Sequence, residues 1–349
     1  MKVITRNVPN KSSHSYSIYD ITTNLGLTVS ILELGASIQK IAIASPGGEP
    51  VSIALGSPEI SFYEDCFCYA GATLAPNAGR IRGGSLPVDG QMFQLSQNDQ
   101  DNQLHGGFHN LSAAPWHTDS VTCTQDTASV ILSAFQPDGT DGYPGNRSYQ
   151  VRYCLEDTNW LTVEYRAFTD RPTYINMSGH TYWNLTGDFT KPATDQELTL
   201  FANNVCINDP CHLPVDIIPV AKTRFDFRES RKVRDPCGYN HAFLLNRSQP
   251  FRTLRDIPRQ QPLKKAAVLL DPASGRTMRM MTDAPALVLY SGDFLPDGII
   301  LHGGQRSCAS CALALEAQDL PDVMHLLPDS YVLTTPEHPF HRIIRYHII

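Results

Sequence analysis

Short runs in which apolar and polar residues alternate recur along the whole chain. Such runs include LTVSILEL, SVILSAF, YQVRYCL, WLTVEYRAF, LVLYSG and FHRIIRYHI, and each is rich in Val, Ile, Tyr or Phe. Alternation with a period of two, carried by β-branched and aromatic residues, is typical of β-strands. Clusters of Gly, Pro, Asn and Asp, among them QPDGTDGYPGN and FLPDG, separate the runs and indicate turns. The pattern therefore predicts a chain built mainly of antiparallel strands.

The same pattern also predicts the architecture of the protein. No long segment keeps the apolar period of an amphipathic helix, and no internal repeat of the length of a propeller blade is present. The 25 prolines are spread along the chain and mark no linker. We therefore expect an all-β protein, a large many-stranded antiparallel β-sandwich, in which residues 1–349 form a single domain.

Composition and charge argue against several classes of function. The 349 residues are 42% apolar and carry a formal net charge of −7, without any block of Lys and Arg. A nucleic acid or an anionic membrane would require a basic surface, so we expect neither as a partner. The N-terminal stretch MKVITRNVPNKSS lacks the apolar segment of a signal peptide, and no window is long enough to cross a bilayer, which predicts a cytoplasmic protein. The nine cysteines show no dense disulfide framework, and we expect reduced thiols.

A histidine in a glycine-rich turn is the first candidate for chemistry. In NQLHGG, His105 precedes Gly106 and Gly107, and glycines permit backbone conformations that let a ligand approach closely. Functional residues are enriched on loops of this kind. A polar turn without a function explains the hexapeptide equally well.

Two further stretches contain residues suited to binding and converting a sugar. SGHTYWNLTG places His180 near Tyr182, and an aromatic ring can stack on the C–H face of a sugar while imidazole and amide groups bind its hydroxyls. The aromatic residues could instead belong to the core. In CALALEAQDLPD, Glu316 follows an apolar run, where burial would raise its pKa toward that of a general base, although a glutamate ending a strand could also face water. His105, His180 and Glu316 form a candidate acid/base set.

Motifs for metals and nucleotides are missing. His105 and His109 are four residues apart, but the two glycines between them disfavour the helix that would align both rings on zinc. Cys308 and Cys311 form one CxxC pair without a second pair to complete a tetrahedral site. The sequence has no phosphate-binding or dinucleotide-binding glycine motif and no G-x-S-x-G. We therefore expect neither a metal ion nor any other cofactor.

Eleven stretches, in order along nearly the whole chain, resemble the aldose 1-epimerase (galactose mutarotase) family. They are GASIQKI, GATLAPNAGRIRGG, NQLHGG, PDGTDGYPGN, LTVEYRAF, SGHTYWNLTG, HLPVD, RFDFR, GYNHAFLL, SGDF and ALEAQDLPD. An ordered series of this length is much more specific than any of its members. The resemblance implies a large β-sandwich with a sugar bound in a cleft on one sheet, and a cofactor-free isomerase acting on a free aldose.

The resemblance also implies roles for individual residues. His180 matches the family's general acid and Glu316 its general base. His105 matches the other active-site histidine, and Arg80 matches an arginine that helps to hold the sugar. Asn240 lies where the family usually has an aspartate that binds sugar hydroxyls. Of the aromatic residues beside His180, Tyr182 is the candidate for contact with the sugar.

Two positions depart from the family's pattern. Gly79 stands where the family usually has an asparagine before the arginine, and Asn240 replaces a carboxylate. An amide both donates and accepts hydrogen bonds, whereas an ionised carboxylate only accepts them. The departures therefore affect substrate preference more than reaction type.

Interconversion of anomers needs two proton transfers. A carboxylate removes the proton of the anomeric hydroxyl while a protonated histidine gives one to the ring oxygen, and reclosure reverses both transfers. A non-catalytic sugar-binding protein on the same scaffold is one alternative, although binding alone needs no acid/base pair. A mutarotase for a phosphorylated sugar is another, and it would need more cations than Arg80 and Arg82, the two near the motif positions. The choice of sugar and the oligomeric state remain open.

Overall fold

The computed structural model of the protein describes residues 1–9, 15–45, 48–65, 68–245 and 262–349. Within these ranges most regular structure is β-strand, and every pairing between strands is antiparallel. The helices of the described residues are short, and none is long and apolar enough to span a membrane. They are α1 (Ser61–Asp65), α2 (Val323–Leu326) and the 3₁₀ turns Arg82–Gly84, Leu111–Ala113, Thr140–Gly142, Ala193–Asp195 and His302–Gly304.

Three larger sheets, of five, nine and six strands, contain most of the described strands. The five-stranded sheet has the order β1 (Lys2–Pro9), β2 (Ser15–Thr22), β3 (Leu27–Leu32), β4 (Ser37–Ser45), β5 (Gly48–Ser52). The nine-stranded sheet has the order β11 (His117–Cys123), β12 (Thr127–Gln136), β13 (Arg147–Glu156), β14 (Trp160–Thr169), β26 (Phe340–Ile348), β23 (Thr277–Thr282), β22 (Lys264–Leu270), β17 (Glu197–Leu200), β20 (Arg231–Lys232). The six-stranded sheet has the order β16 (Tyr182–Trp183), β25 (Leu313–Gln318), β24 (Ala286–Tyr290), β21 (Asn240–Leu245), β18 (Ala202–Asn208), β19 (Pro214–Pro219).

Short ladders complete the described strands and hold the loops around the site. They pair β6 (Thr73–Leu74) with β15 (Ser178–Gly179), β7 (Arg80–Ile81) with β10 (Gln103–Leu104), and β8 (Ser85–Val88) with β9 (Gln91–Gln94). The β7–β10 ladder carries Arg80 and ends immediately before His105, and the β6–β15 ladder ends immediately before His180.

The main hydrophobic core joins the six-stranded and nine-stranded sheets. Leu315 of β25, Leu287 of β24 and Phe243 of β21 belong to the same buried cluster as Val163 of β14 and Ile344 of β26. Successive side chains of a strand point to opposite faces of its sheet. The residues that alternate with Leu315, Leu287 and Phe243 therefore face away from this core, and the site described below lies on that face.

The expectation of an all-β antiparallel sandwich is confirmed. The six alternating runs noted in the sequence coincide with β3, β12, β13, β14, β24 and β26. The eight cysteines of the described residues carry free thiols, three of them exposed, and Cys66 lies outside the described residues.

Candidate active site

The outward face of the six-stranded sheet is the floor of a cavity of about 180 Å³. Residues at alternate positions of three neighbouring strands line this floor: Glu316, Gln318, Val288, Tyr290, Asn240 and Ala242. The strand register places Val288 directly opposite Glu316, and Tyr290 directly opposite Asn240. The floor thus combines a carboxyl group and two amides with small apolar side chains, as a surface that receives both the hydroxyls and the C–H groups of a sugar would require.

Residues from the surrounding loops and ladders form the walls of the cavity. His180 follows β15, His105 follows β10, Arg80 lies on β7 and Tyr182 lies on β16. The structure therefore brings together all the residues singled out in the sequence: His105, His180, Glu316, Arg80, Asn240 and Tyr182.

The stretch SGHTYWNLTG divides its aromatic residues between the site and the core. Tyr182 lines the cavity, with its ring centroid 4.7 Å from that of His180. Trp183, one residue later on the strand, points into the core, where its ring lies 5.0 Å from that of Tyr346. The interpretation as a sugar-binding aromatic residue thus fits Tyr182, and the interpretation as a core residue fits Trp183.

His180 and Glu316 form a buried pair. Nε2 of His180 lies 3.6 Å from Oε1 of Glu316, and the two side chains are only 6% and 4% exposed. This distance exceeds that of a hydrogen bond, so no proton is fixed between the two atoms. Nδ1 of His180 and Oε2 of Glu316 have no hydrogen-bond partner among the described residues.

Burial controls the protonation of this pair. It raises the pKa of Glu316 to about 8, although the positive charge of Arg80 acts in the opposite direction. Burial also lowers the pKa of His180 to about 4. Both shifts disfavour the charged forms, so at pH values between the two pKa values the pair holds one proton, which lies mainly on Glu316. A pair that holds one proton can both accept and donate one, as acid/base catalysis requires.

His105 is fixed by reciprocal hydrogen bonds to Gly79. Its Nδ1 accepts from the N–H of Gly79 (3.1 Å), and its own backbone N–H donates to the Gly79 carbonyl oxygen (3.1 Å). Because Nδ1 is an acceptor, the neutral ring carries its proton on Nε2. Burial holds the pKa of His105 well below its usual value, and the nearby His180 and Arg80 act in the same direction. The ring is therefore a neutral hydrogen-bond donor whose centroid lies 5.6 Å from that of His180.

The glycines after His105 have a packing role in the turn. Gly106 and Gly107 have φ values of +91° and +101°, which side chains rarely adopt. A Cβ on Gly106 would lie 2.6 Å from Cδ of Pro76, and a Cβ on Gly107 would lie 2.6 Å from Oδ1 of Asp141. Neither glycine is among the described residues that line the cavity. Both glycines allow the turn that carries His105 to pack against Pro76 and Asp141.

Arg80 and Asn240 present free polar groups to the cavity. Nε of Arg80 donates to Oδ2 of Asp99 (2.6 Å), and the two terminal nitrogens of the guanidinium have no hydrogen-bond partner among the described residues. The backbone of Asn240 is fixed, since its N–H donates to Nδ1 of His241 (3.0 Å) and its carbonyl oxygen accepts from Nδ2 of Asn208 (2.7 Å). The Asn240 side chain lines the cavity and has no partner within the described part of the chain.

The family model described as Aldose 1-epimerase matches residues 17–337. The chain belongs to the aldose 1-epimerase family. It is 30% identical over 318 residues to the aldose 1-epimerase of Escherichia coli K12, covering 88% of this chain and 87% of that protein. It is 28% identical over 340 residues to the maltose epimerase of Levilactobacillus brevis, covering 95% of this chain and 94% of that protein. The chain is also similar in structure to the crystal structure of galactose 1-epimerase from Lactobacillus acidophilus, with a TM-score of 0.83, 26% identity and coverage of 100% of this chain and 99% of that chain.

Membership of the aldose 1-epimerase family confirms the resemblance indicated by the motifs. Several residues that line the cavity, however, were not predicted from the sequence. Gln318 lies two positions after Glu316 on β25, so strand alternation alone places it on the same face. Val288 and Tyr290 alternate in the same way on β24. Tyr69 and His212 lie outside the strands, and no period in the sequence indicates that they line the cavity.

Within the described residues, no group of three or more His, Cys, Asp or Glu side chains is placed to hold a metal ion. His109 does not join His105 in the site. Its side chain is 79% exposed and lies beside Asp141, with Nδ1 3.6 Å from Oδ1.

Proposed function

We propose that the protein interconverts the α and β anomers of a free aldose by acid/base-catalysed ring opening and reclosure. The observation that carries this proposal is the His180–Glu316 pair, whose facing atoms are 3.6 Å apart in the cavity. The anomeric hydroxyl and the ring oxygen of an aldose are bound to the same carbon atom. Two proton-transferring atoms this close together can therefore serve both oxygens of one bound sugar.

Ring opening starts from the form of the pair in which its one proton lies on His180. Ionised Glu316 takes the proton of the anomeric hydroxyl while protonated His180 gives its proton to the ring oxygen, and the C1–O5 bond breaks. Glu316 is then protonated and His180 neutral. These are the forms that burial favours, so the site stabilises the protonation state that accompanies the open-chain sugar. After rotation about C1–C2, the two transfers run in reverse and the ring closes on the other face of the aldehyde.

The remaining residues hold the sugar in place. Nε2–H of His105 and the terminal nitrogens of Arg80 donate to hydroxyl oxygens, and the amide of Asn240 both donates and accepts. The ring of Tyr182 provides an aromatic surface beside His180. Fixing C1 between Glu316 and His180 converts proton transfer into a reaction between groups already in contact, which is a large part of the catalytic effect.

Two observations count against the alternatives. A protein that only binds sugars has no need of a buried acid/base pair with strongly shifted pKa values. A phosphorylated sugar would require several cations, whereas Arg80 is the only Lys or Arg among the described residues that line the cavity. Its charge is already paired with Asp99, with Nε 2.6 Å from Oδ2.

We also propose that residues 1–349 form one domain. The main core cluster includes Tyr19 near one end of the chain and Ile348 near the other. Two independent domains would each need a core of their own.

The test is an NMR exchange measurement of anomer interconversion with a panel of free and phosphorylated sugars. We expect the wild-type protein to accelerate interconversion of at least one free aldose. Glu316→Gln and His180→Asn should each lower kcat by roughly 10²–10⁴-fold while leaving sugar affinity nearly unchanged, because each variant keeps the shape but loses the proton transfer.

The chain offers a matched control in a second His–Glu pair. Nε2 of His341 lies 2.9 Å from Oε1 of Glu164, and neither residue lines the cavity among the described residues. Glu164→Gln should therefore keep the wild-type rate. A wild-type protein that accelerates no free aldose, or a Glu316→Gln variant that retains most of kcat, would overturn the proposal.

A further inference from the structure

Cys308 and Cys311 lie at the two ends of one tight turn. The turn precedes β25, and the backbone N–H of Cys311 donates to the carbonyl oxygen of Cys308 (3.2 Å). A hydrogen bond between residues i and i+3 closes a β-turn, whose terminal Cα atoms are less than about 7 Å apart. A disulfide usually joins Cα atoms about 4.4–6.8 Å apart. The turn therefore holds the two cysteines at a separation that a disulfide can bridge.

The two side chains of this pair point toward each other. Both are free thiols, and a hydrogen bond joins the two thiol groups. Cys308 is half-buried and is accessible from solvent, whereas Cys311 is 0% exposed. A small reagent can therefore react with Cys308, and the buried thiol of Cys311 lies beside the atom that has reacted.

Bonds to a neighbouring segment of the chain fix the turn. The backbone N–H of Ala309 donates to Oδ1 of Asp297 (2.9 Å), and the backbone N–H of Ser310 donates to the carbonyl oxygen of Gly292 (2.9 Å). Ser310 has a φ of +56°, a left-handed conformation that is uncommon for serine. Because the backbone between the two thiols is already ordered, closure of a disulfide requires little further ordering of the chain.

The surroundings of the pair are those of a target of oxidation and differ from those of a thiol oxidoreductase. In CxxC oxidoreductases the pKa of the attacking thiol is lowered, often by the N-terminus of a helix. Here a strand, β25, follows Cys311, and burial raises the pKa of both thiols, that of Cys311 to about 12. A zinc ion would need further ligands, and the described residues contain no group of three or more His, Cys, Asp or Glu side chains that could supply them.

We propose that Cys308 and Cys311 form a thiol–disulfide exchange site whose reaction partner is a low-molecular-weight disulfide, here oxidised glutathione. The thiolate of Cys308 attacks one sulfur atom of glutathione disulfide, so that a mixed disulfide forms and one glutathione leaves as a thiol. Cys311 then loses its proton, attacks Sγ of Cys308 and releases the second glutathione thiol. The protein gives up two electrons and two protons, and one oxidised glutathione becomes two reduced glutathiones. This inference is independent of the proposed function, since neither cysteine is among the described residues that line the cavity.

The test is an equilibrium titration of the whole protein with mixtures of oxidised and reduced glutathione. Samples are quenched in acid, alkylated and analysed as tryptic peptides by mass spectrometry. Cleavage after Arg306 and Arg342 gives a peptide of residues 307–342 that contains Cys308, Cys311 and no other cysteine. We expect this peptide to be converted into a form that lacks two hydrogen atoms, takes up no alkylating agent and carries no glutathione.

The total concentration of glutathione distinguishes this disulfide from a glutathione adduct. Closure of the disulfide releases two glutathione thiols, whereas formation of an adduct releases one. At a fixed ratio of oxidised to reduced glutathione, tenfold dilution of both should therefore raise the disulfide-to-dithiol ratio of residues 307–342 about tenfold. Cys123 is the control, because it is exposed and is the only cysteine in the tryptic peptide 83–147. Its adduct-to-thiol ratio should not change on dilution.

Single substitutions test the separate roles of the two thiols. Cys311→Ser should stop at the mixed disulfide and accumulate glutathione on Cys308, and this adduct, like that of Cys123, should not respond to dilution. Cys308→Ser should leave Cys311 as a thiol, because Cys311 is 0% exposed. Cys311→Ala is measured beside Cys311→Ser, since a hydroxyl group at a fully buried position can destabilise the fold.

Two results would overturn the proposed site. In one, residues 307–342 stay in the dithiol form at every glutathione ratio. In the other, their oxidised form carries glutathione and its proportion does not respond to dilution. Equal glutathione adducts on Cys308 in Cys311→Ala and on Cys311 in Cys308→Ser would overturn the order of attack.

Discussion

Nε2 of His180 lies 3.6 Å from Oε1 of Glu316, and neither side chain has another ion-pair partner among the described residues. The two groups come from separate parts of the sequence, one following β15 and the other from the interior of β25. Their burial moves the pKa of the acid up and that of the imidazole down. Between the two pKa values the pair therefore holds a single proton.

The rate of anomer interconversion should therefore follow a bell-shaped pH profile that is unusually wide. Below the pKa of His180, about 4, both groups are protonated and no base is left. Above the pKa of Glu316, about 8, the pair has lost its proton and no acid is left. Polarimetric measurement of kcat/KM across this range, corrected for the uncatalysed reaction, should show both limbs. A narrow optimum bounded by the ordinary values of 4.5 for Glu and 6.5 for His would contradict the pKa shifts that burial causes.

Replacement of Glu316 by glutamine should stabilise the fold, and the gain should grow with pH. Folded protein keeps Glu316 protonated up to a pKa of about 8, whereas unfolded protein releases that proton above 4.5. Between these values the unfolded state binds fewer protons, so this residue lowers the unfolding free energy by up to about 1.4 kcal/mol for each pH unit. The difference in urea midpoint between Glu316→Gln and wild type should be small at acid pH, increase through neutral pH and level off above about 8.

Glu164→Gln is the control for this stability measurement, because the pKa of Glu164 is shifted in the opposite direction to that of Glu316. Burial alone would raise the pKa of Glu164, but hydrogen bonds from His341 and Arg166 outweigh it and hold the pKa below its ordinary value. Ionised Glu164 therefore stabilises the folded state. Its glutamine variant should lose stability at neutral pH and lose less in acid. The same pH trend in both variants would show that the effect at Glu316 is not caused by its titration.

The strands could be predicted from the sequence because alternation is a local property. FHRIIRYHI, for example, alternates over its full length, and β26 spans Phe340–Ile348. Alternation assigns residues to two faces but does not say which face meets a ligand. Alternation alone therefore left a core position open for the aromatic residues of SGHTYWNLTG, and the packing of Trp183 on Tyr346 assigns Trp183 to the core.

The assembly of the site depended on contacts between distant segments. The residue types indicated His105, His180 and Glu316 as a candidate acid/base set, and the family resemblance gave each of them a role, but no local pattern in the sequence places the three side chains together. Three further residues that line the cavity come from equally separate segments: Tyr69 precedes β6, His212 lies between β18 and β19, and Phe294 follows β24. The tertiary fold alone brings them together.

The conformation of Gly79 predicts different effects of substitution at two neighbouring glycines. Gly79 has a φ of +83°, and a Cβ there would lie 3.1 Å from Cβ of Pro321, whereas Gly83 has a φ of +59° and open space around it. Alanine at either position should lower the unfolding free energy by about 1–2 kcal/mol through the left-handed backbone. Only Gly79→Ala should also lower kcat/KM, because the Gly79 N–H holds Nδ1 of His105.

Gly79→Asn tests whether the positive φ at this position determines how much stability a substitution costs. Asparagine adopts positive φ more readily than alanine, which explains why the family's usual residue and glycine can both occupy this position. Gly79→Asn should therefore cost less stability than Gly79→Ala in urea denaturation. Equal kcat/KM in Gly79→Ala and Gly83→Ala would show that Gly79 does not position His105.

Asn240→Asp should change the preference among sugars rather than abolish activity. The backbone of Asn240 is fixed by His241 and Asn208, so the substitution alters only the side chain that lines the cavity. A sugar oxygen that accepts from the amide N–H in the wild type would face a carboxylate oxygen in Asn240→Asp, with no proton between the two atoms. Binding of that sugar would then weaken by about 1–3 kcal/mol. A sugar that donates two hydroxyl protons at this point would instead gain a charge-assisted bond.

The ratio of kcat/KM between two such sugars should consequently shift by roughly tenfold or more. The measurement compares galactose, glucose, arabinose, xylose and 2-deoxy sugars on wild type, Asn240→Asp and Asn240→Ala. The alanine variant is the control, because it removes both hydrogen bonds without adding a charge. If Asn240→Asp and Asn240→Ala lower activity on every sugar in parallel, with the ratios unchanged, Asn240 supports the site without selecting its substrate. A reordering of the sugars by Asn240→Asp alone would show that the amide selects the sugar through the direction of its hydrogen bonds.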